Sequence, residues 1–179
     1  MYYTGFYDSP IGKLTLATDD DVLVGLWVEG QKYYGGSTPA MIQGAQYEAV
    51  FKPFKKWLDL YFVGKEPPLS ALSVAPVGGE FRQIVWKLLC EIPYGETTTY
   101  GTLAKKTAAL LNKKNMAGQA IGNAVGHNPI SIIIPCHRVV GTTGSLTGYA
   151  SGIRRKLFLL ELEGVDLSGF FIPDKGTAL

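Results

Sequence analysis

Asn128-Pro129-Ile130-Ser131-Ile132-Ile133-Ile134-Pro135-Cys136-His137-Arg138-Val139-Val140-Gly141 sets a cysteine beside a histidine at the end of an apolar run. A free thiol has a pKa of roughly 8.5 and is mostly protonated at neutral pH, so a nucleophilic cysteine needs a base or a positive field beside it. His137 is the nearest candidate base. Adjacent side chains on an extended backbone point apart, so contact between Cys136 and His137 requires a sharp turn or a bridging water. Ile132-Ile133-Ile134 reads as a strand-like run, and Pro135, which restricts Ile134 and cannot donate to a ladder, ends it and favours a turn. A bare Cys-His pair is more often a structural thiol next to a surface imidazole. The flanks decide between the two.

At 179 residues with 46% apolar content, the chain is long enough for one large domain or two small ones around a real core. No apolar leader follows Met1 and no stretch approaches the roughly 18 apolar residues of a membrane span. An intracellular, cytoplasmic protein without membrane contact is expected. Two cysteines, Cys90 and Cys136, cannot make a disulfide framework, and with two histidines at these spacings they make no zinc signature. No metal is therefore expected. The net charge of +2 is unevenly spread: residues 1–79 hold 6 Lys/Arg against 8 Asp/Glu, residues 80–170 hold 10 against 6. That basic excess is compatible with phosphate contacts but does not announce them.

Strands are predicted over Tyr2–Tyr7, Lys13–Thr18 and Val22–Val28, the last after the Asp19-Asp20-Asp21 turn, giving a small antiparallel sheet. Between Gln46 and Gly64, Phe51, Phe54, Leu58, Tyr61 and Phe62 recur at helical spacing, with a start expected near Pro53. Pro67-Pro68 and Gly78-Gly79 punctuate a connection to a second domain. The boundaries read as 1–79, 80–170 and a tail over 171–179. Phe81, Ile84, Val85, Leu88 and Leu89 describe an amphipathic helix from Glu80 to Cys90, with Cys90 as a packed thiol. Thr98 or Thr99 caps a helix beginning near Tyr100, and a second helix over Ala117–Gly126 completes a helix-turn-helix. A last helix runs from Ile153 to Leu162, capped by Ser151 and ended by Gly164. Its Arg154, Arg155 and Lys156 lie where the helix dipole disfavours cations, so they read as solvated or facing phosphate. The patterns alone give an α+β class.

The opening string resembles the active-site signature of the O6-alkylguanine-DNA alkyltransferases, the methylated-DNA–protein-cysteine methyltransferases. Similarity continues from Phe81 to Tyr100, most densely in Pro93-Tyr94-Gly95-Glu96-Thr97-Thr98-Thr99-Tyr100-Gly101, and from Gly144 to Gly164. The N-terminal part follows the family in outline, through Ser9-Pro10-Ile11-Gly12 and the strands after it. The resemblance implies a small N-terminal sheet with a helix, then a mostly helical C-terminal domain bearing the thiol and the helix-turn-helix. It implies a monomer without a cofactor that moves an alkyl group irreversibly from O6 of guanine in double-stranded DNA to its own cysteine.

On that resemblance Cys136 is the acceptor, since substitution at an alkyl carbon needs a soft nucleophile aligned behind the leaving oxygen. His137 takes the thiol proton through a water, and Glu163, in Leu160-Glu161-Leu162-Glu163-Gly164, orients and charges the imidazole. Asn128 braces the active-site turn, and Tyr100 donates to N3 of the departing guanine. The backbone of Cys136 and Val139 reads the exocyclic amine, Tyr149, Ala150 and Ser151 line the alkyl side, and Val125 closes the pocket. Thr99, Gly118, Gln119, Gly122 and Asn123 fall to the DNA. The second helix of the pair holds Ala117, Gly118, Ala120, Gly122, Ala124 and Gly126, although each glycine costs about 1 kcal/mol in a helix. Tight helix packing explains this on composition alone. The resemblance implies instead a helix docked in a minor groove about 6 Å wide, with the damaged nucleotide flipped out of the duplex.

Three positions depart from the family. Gln119, nine residues before Asn128-Pro129, stands where an arginine commonly fills the vacated stack, and lacks its cation and stacking surface. Ala108–Asn115 lengthens the helix-turn-helix connection and carries Lys113 and Lys114. Ala150 stands where a small polar residue or glycine is often found. Competing readings are a non-catalytic alkyltransferase-like lesion binder, which would lack the acceptor cysteine, and a cysteine hydrolase turning over through Cys136, His137 and Glu163. A helix-turn-helix transcription regulator is a third, poorly served by a Gly/Ala helix with few long side chains for base edges.

Overall fold

The structure is a computed structural model and describes residues 1–36 and 48–174. Two compact units emerge, Met1–Val77 with Pro129–Ile133, and Gly78–Asn128 with Ile134–Leu179. Among the described residues no helix is long and apolar enough to cross a membrane.

In the first unit, β1 (Tyr2–Ser9), β2 (Gly12–Asp19) and β3 (Val22–Val28) form an antiparallel sheet in sequence order. Ser9 closes the first hairpin by donating its hydroxyl to Gly12 O at 2.6 Å. β3 is buried from Leu23 to Val28, so its outer edge needs covering. Two segments supply the missing bonds: Leu23 N donates to Ser73 O at 2.9 Å and Ala75 N to Leu23 O at 2.8 Å, while Leu26 N donates to Pro129 O at 2.8 Å and Ser131 N to Leu26 O at 2.9 Å. A piece of chain from far along the sequence thereby becomes part of the N-terminal sheet.

The helix α1 (Glu48–Phe62) buries Phe51, Phe54, Trp57, Leu58 and Tyr61. It does not start at Pro53, as the sequence predicts, but runs through it. Proline inside a helix costs about 3 kcal/mol, and burying Phe51 and Phe54 on one face, at about 1.5–3 kcal/mol each, offsets that. The beginning of the expected helical stretch at Gln46 and the last residues of the tail, 175–179, lie outside the described residues.

The second unit contains α2 (Glu80–Cys90), α3 (Tyr100–Leu110), α4 (Gly118–Gly126) and α5 (Ile153–Leu162). Two short parallel strands join it, β4 (Thr98–Thr99) and β5 (Val139–Val140). Thr99 caps α3, its hydroxyl accepting from Thr102 N at 3.1 Å. Buried Trp86 donates Nε1 to Ala124 O at 2.8 Å and so ties α2 to α4. Val140, Leu146 and Leu160 form a core against Ile153, Leu157 and Val165. Phe171 is bridged to Ser145, so the chain stays docked past residue 170.

Two sequence expectations fail here. Cys90 is exposed rather than packed, because α2 turns Val85, Trp86, Leu88 and Leu89 inward and leaves its last residue outside. Ser151 does not cap α5; Gly152 does, at φ 98° and ψ 152° and with no side-chain bond.

Candidate active site

The residues before the thiol are not a strand. Ile133 N donates to Ser131 O at 2.8 Å across Ile132, whose φ is +71°. A β-branched residue in the left-handed region is strained, and its burial at 1% exposure holds it there. Pro135, at φ −82° and ψ 64°, forms an inverse γ-turn, with Cys136 N donating to Ile134 O at 2.8 Å. The chain then enters a single 3-10 turn over Cys136–Arg138. Isoleucine composition predicts extension; two consecutive reversals replace it.

Asn128, just beyond α4, fastens that turn. Its Nδ2 donates to Ile134 O at 2.8 Å and to Cys136 Sγ at 3.1 Å. Cys136 is 4% exposed, and burial pushes its pKa up, while Asn128 and the charge of Lys156 pull it down. The neighbouring imidazole is fully buried and pairs through Nε2 with Glu163 Oε1 at 2.6 Å. Burial lowers the His137 pKa and Glu163 opposes the fall. The ring is therefore neutral at pH 7 and donates from Nε2.

Glu163, at the end of α5, is gripped from a second side. Arg138 donates Nε to Oε2 at 2.8 Å and Nη2 to Oε1 at 3.0 Å, and its Nη1 reaches Ile92 O at 2.6 Å. Burial alone would raise the carboxyl, but His137 and Arg138 hold it down to about 2. The imidazole thus faces a carboxylate that is ionised at neutral pH.

Tyr100 donates to Gly148 O at 2.9 Å. Burial pushes the phenol well above its ordinary pKa, so it keeps its proton. Gly148 has φ +75°, and a Cβ there would lie 2.4 Å from the Tyr100 oxygen, so only glycine fits. Lys156 is not solvated and faces no phosphate: it is fully buried and donates to Val139 O at 2.5 Å and Thr147 O at 2.7 Å. Burial lowers its pKa to about 8, with Cys136 opposing. Arg154 is exposed, and Arg155 donates to Ser151 O at 2.9 Å. Val125, Val139, Tyr149 and Ser151 are buried and Ala150 is half-buried. No group of 3 or more His, Cys, Asp or Glu among the described residues is placed to hold a metal ion.

On the helix pair, Gly118, Gln119 and Asn123 are exposed, while Gly122 and Thr99 are half-buried. A Cβ at Gly118 or Gly122 would meet nothing within 4 Å. Tight packing within the protein therefore does not explain these two glycines.

The DNA-binding domain model of 6-O-methylguanine DNA methyltransferase matches residues 80–165, and that enzyme's ribonuclease-like domain model matches residues 1–76. The chain belongs to the methylated-DNA–protein-cysteine methyltransferases. It is 43% identical over 169 residues to the Methanosarcina acetivorans methyltransferase, covering 92% of this chain and 99% of that one. The Haemophilus influenzae methyltransferase is 39% identical over 178 residues, at 99% and 91% coverage. Among solved structures, Mycobacterium tuberculosis O6-methylguanine methyltransferase superposes with a TM-score of 0.76 at 41% identity, over 98% of this chain and 97% of that one. The OGT of the same organism in complex with DNA gives 0.72 at 43%, over 90% and 91%.

Of the residues around this methyltransferase's site, Arg138 was not singled out from sequence and Lys156 was read there as solvated or facing phosphate. Arg138 follows the Cys-His pair directly, inside an otherwise apolar stretch, which is itself a signal of a paired buried charge. Lys156 shares a helical face with Leu159, Leu160 and Glu163, all buried, so its register points inward even though its charge suggests solvent.

Proposed function

We propose that the protein repairs alkylated DNA by transferring the alkyl group from O6 of a guanine, once and irreversibly, to Cys136. The observation that carries this reading is the buried array in which Asn128 bonds the Cys136 sulfur while the adjacent His137 pairs with a carboxylate clamped by Arg138. With Nε2 engaged by Glu163, Nδ1 is the ring nitrogen that takes the thiol proton, through a water. Glu163 stabilises the imidazolium that forms. The thiolate, supported by Asn128 and the field of Lys156, attacks the alkyl carbon from behind the oxygen. As the carbon–oxygen bond breaks, its electron pair stays on the purine, and protonated Tyr100 donates to N3. A thioether is inert to water at neutral pH, so each molecule acts once.

A buried thiol cannot reach a stacked base, and extruding the nucleotide costs a few kcal/mol, roughly, less where damage weakens pairing. The open backbone at Gly118 and Gly122 on α4 supports close approach to a minor groove, with Gln119 entering the vacated stack. A thiol reserved for one use needs a reducing compartment, and we place the protein in the cytoplasm.

Intact mass after incubation with a duplex carrying one O6-methylguanine, followed by peptide mapping, tests the proposal. A gain of one methylene equivalent on Cys136, stopping at one per protein and absent in Cys136→Ser, is expected. Tight lesion binding without any gain would make the protein a recognition factor, and multiple turnover on a small ester without DNA would make it a hydrolase.

A further inference from the structure

The connection between α3 and α4, longer here than in shorter members of the family, is an ordered piece of chain. It closes α3 with a Schellman motif: Asn112 N donates to Ala109 O at 3.2 Å and Lys113 N reaches back to Ala108 O at 2.8 Å. Asn112 supplies the left-handed position that this motif needs, at φ +52°, which asparagine adopts more readily than most residues. Leu111 and Met116 are half-buried and line one groove with Phe81 and Ala120. The residues between them, Asn112–Asn115, are all exposed. The connector is therefore anchored at both ends, and Lys113 and Lys114 are what it presents outward.

No Asp or Glu occurs from Thr97 to Leu160. Within that span Arg138, Arg155 and Lys156 are committed to groups of the protein itself, whereas Lys105, Lys106, Lys113 and Lys114 are exposed. Glu80 lines the same groove as Lys113 but forms no ion pair with it among the described residues. Exposed cations on a stretch of chain without carboxylates match a polyanion. Lys114 lies four residues before Gly118, where α4 offers open backbone, and that much chain spans at most about 14 Å. The phosphates that rim a minor groove about 6 Å wide then lie beside the connector once α4 is docked. We propose that Lys113 and Lys114 form a clamp on the phosphate backbone that extends the duplex contact beyond α4. The inference rests on the DNA-repair reading above. A contact to phosphate alone positions the protein without reading sequence or damage, so the clamp serves every duplex equally and holds the protein on DNA before a lesion is met.

Fluorescence anisotropy with a labelled undamaged duplex, from about 50 to 200 mM salt, tests the clamp. Each phosphate contact contributes about 0.9 to the slope of log K against log salt. The double variant Lys113→Gln/Lys114→Gln is expected to lower that slope by about 1.8 and to weaken binding by about 10-fold or more at low salt. The same factor is expected on an O6-methylguanine duplex, measured in the Cys136→Ser background so that the alkyl group stays on the DNA. Lys87→Gln, which removes a charge from the exposed side of α2, should leave the slope as it is. An unchanged slope in the double variant, an equal loss per charge at Lys87, or a loss confined to the lesion duplex overturns the clamp. Absence of any salt-dependent duplex binding by the unaltered protein would remove the DNA reading itself, so the two failures are distinguishable.

Discussion

Glu163 receives His137 on one oxygen and a two-pronged Arg138 across both. Glu163→Gln keeps the shape and removes the charge. The imidazolium then forms without its counter-charge, and Arg138, 11% exposed, is left with no carboxylate. We expect single-turnover transfer to fall by about 100-fold or more and unfolding free energy by about 3–5 kcal/mol, read by mass spectrometry and urea titration. Because folding depresses this carboxyl from 4.5 to about 2, its stabilisation is complete above pH 4.5 and is lost as pH falls toward 2. The stability gap between the two proteins should close over that window. His137 gives a separate expectation: its burial-lowered pKa keeps the base neutral below its ordinary 6.5, so the acid limb of the transfer rate should lie below pH 6.5. An acid limb at or above that value in a pH–rate profile would contradict the buried neutral imidazole. Cys136 and His137 were legible in sequence because they are contiguous. The grip on Glu163 was not, because its partner Arg138 lies 25 residues away and charge carries no address.

Elements decide which of these groups meet, and glycines mark the closest approaches. At Gly148 an added methyl would collide with the Tyr100 hydroxyl while sitting at φ +75°. Gly148→Ala should therefore displace the hydroxyl from its place over the pocket and slow transfer by about 10-fold or more while leaving DNA binding near normal, since one hydrogen-bond donor to a developing charge is worth at least that much. Gel shift and single-turnover rate together check this. On α4 the expectation concerns the duplex. Gln119→Ala should slow reaction on duplex DNA much more than on free O6-methylguanine, because only the duplex must hold a base extrahelical; equal slowing on both would remove Gln119 from that role. The α2 helix was readable from its apolar spacing and α3 from its threonine cap, because both signals are local in sequence, whereas α4 has no side-chain cap to read. The triple isoleucine was misread for the opposite reason: propensity reports a preference for extension, and the turns at Ile132 and Pro135 are imposed by burial and by the Asn128 bond to Ile134 O.

At the scale of the whole molecule, the stretch feeding the active-site turn, Pro129–Ile133, belongs to the N-terminal unit. Nothing in the sequence marks this, since Ser131 finds its partners on β3 at Leu26 and, 100 residues away, at Gln31. Through these bonds the order of Pro129–Ile133 is expected to follow that of the N-terminal sheet. Leu16, fully buried on the central strand β2, offers a handle remote from the chemistry, and Leu16→Ala should destabilise its unit by about 2–5 kcal/mol. If Pro129–Ile133 opens with that unit, the amide of Ser131 should exchange faster by the same factor as Leu26 and the β2 amides, while the α2 amides respond less. Native-state hydrogen exchange on the intact chain reads this directly. Should Ser131 instead keep pace with α2, the segment would be a strand-edge passenger whose order comes from the thiol-bearing unit, and N-terminal substitutions would be expected to leave the reactivity of Cys136 untouched.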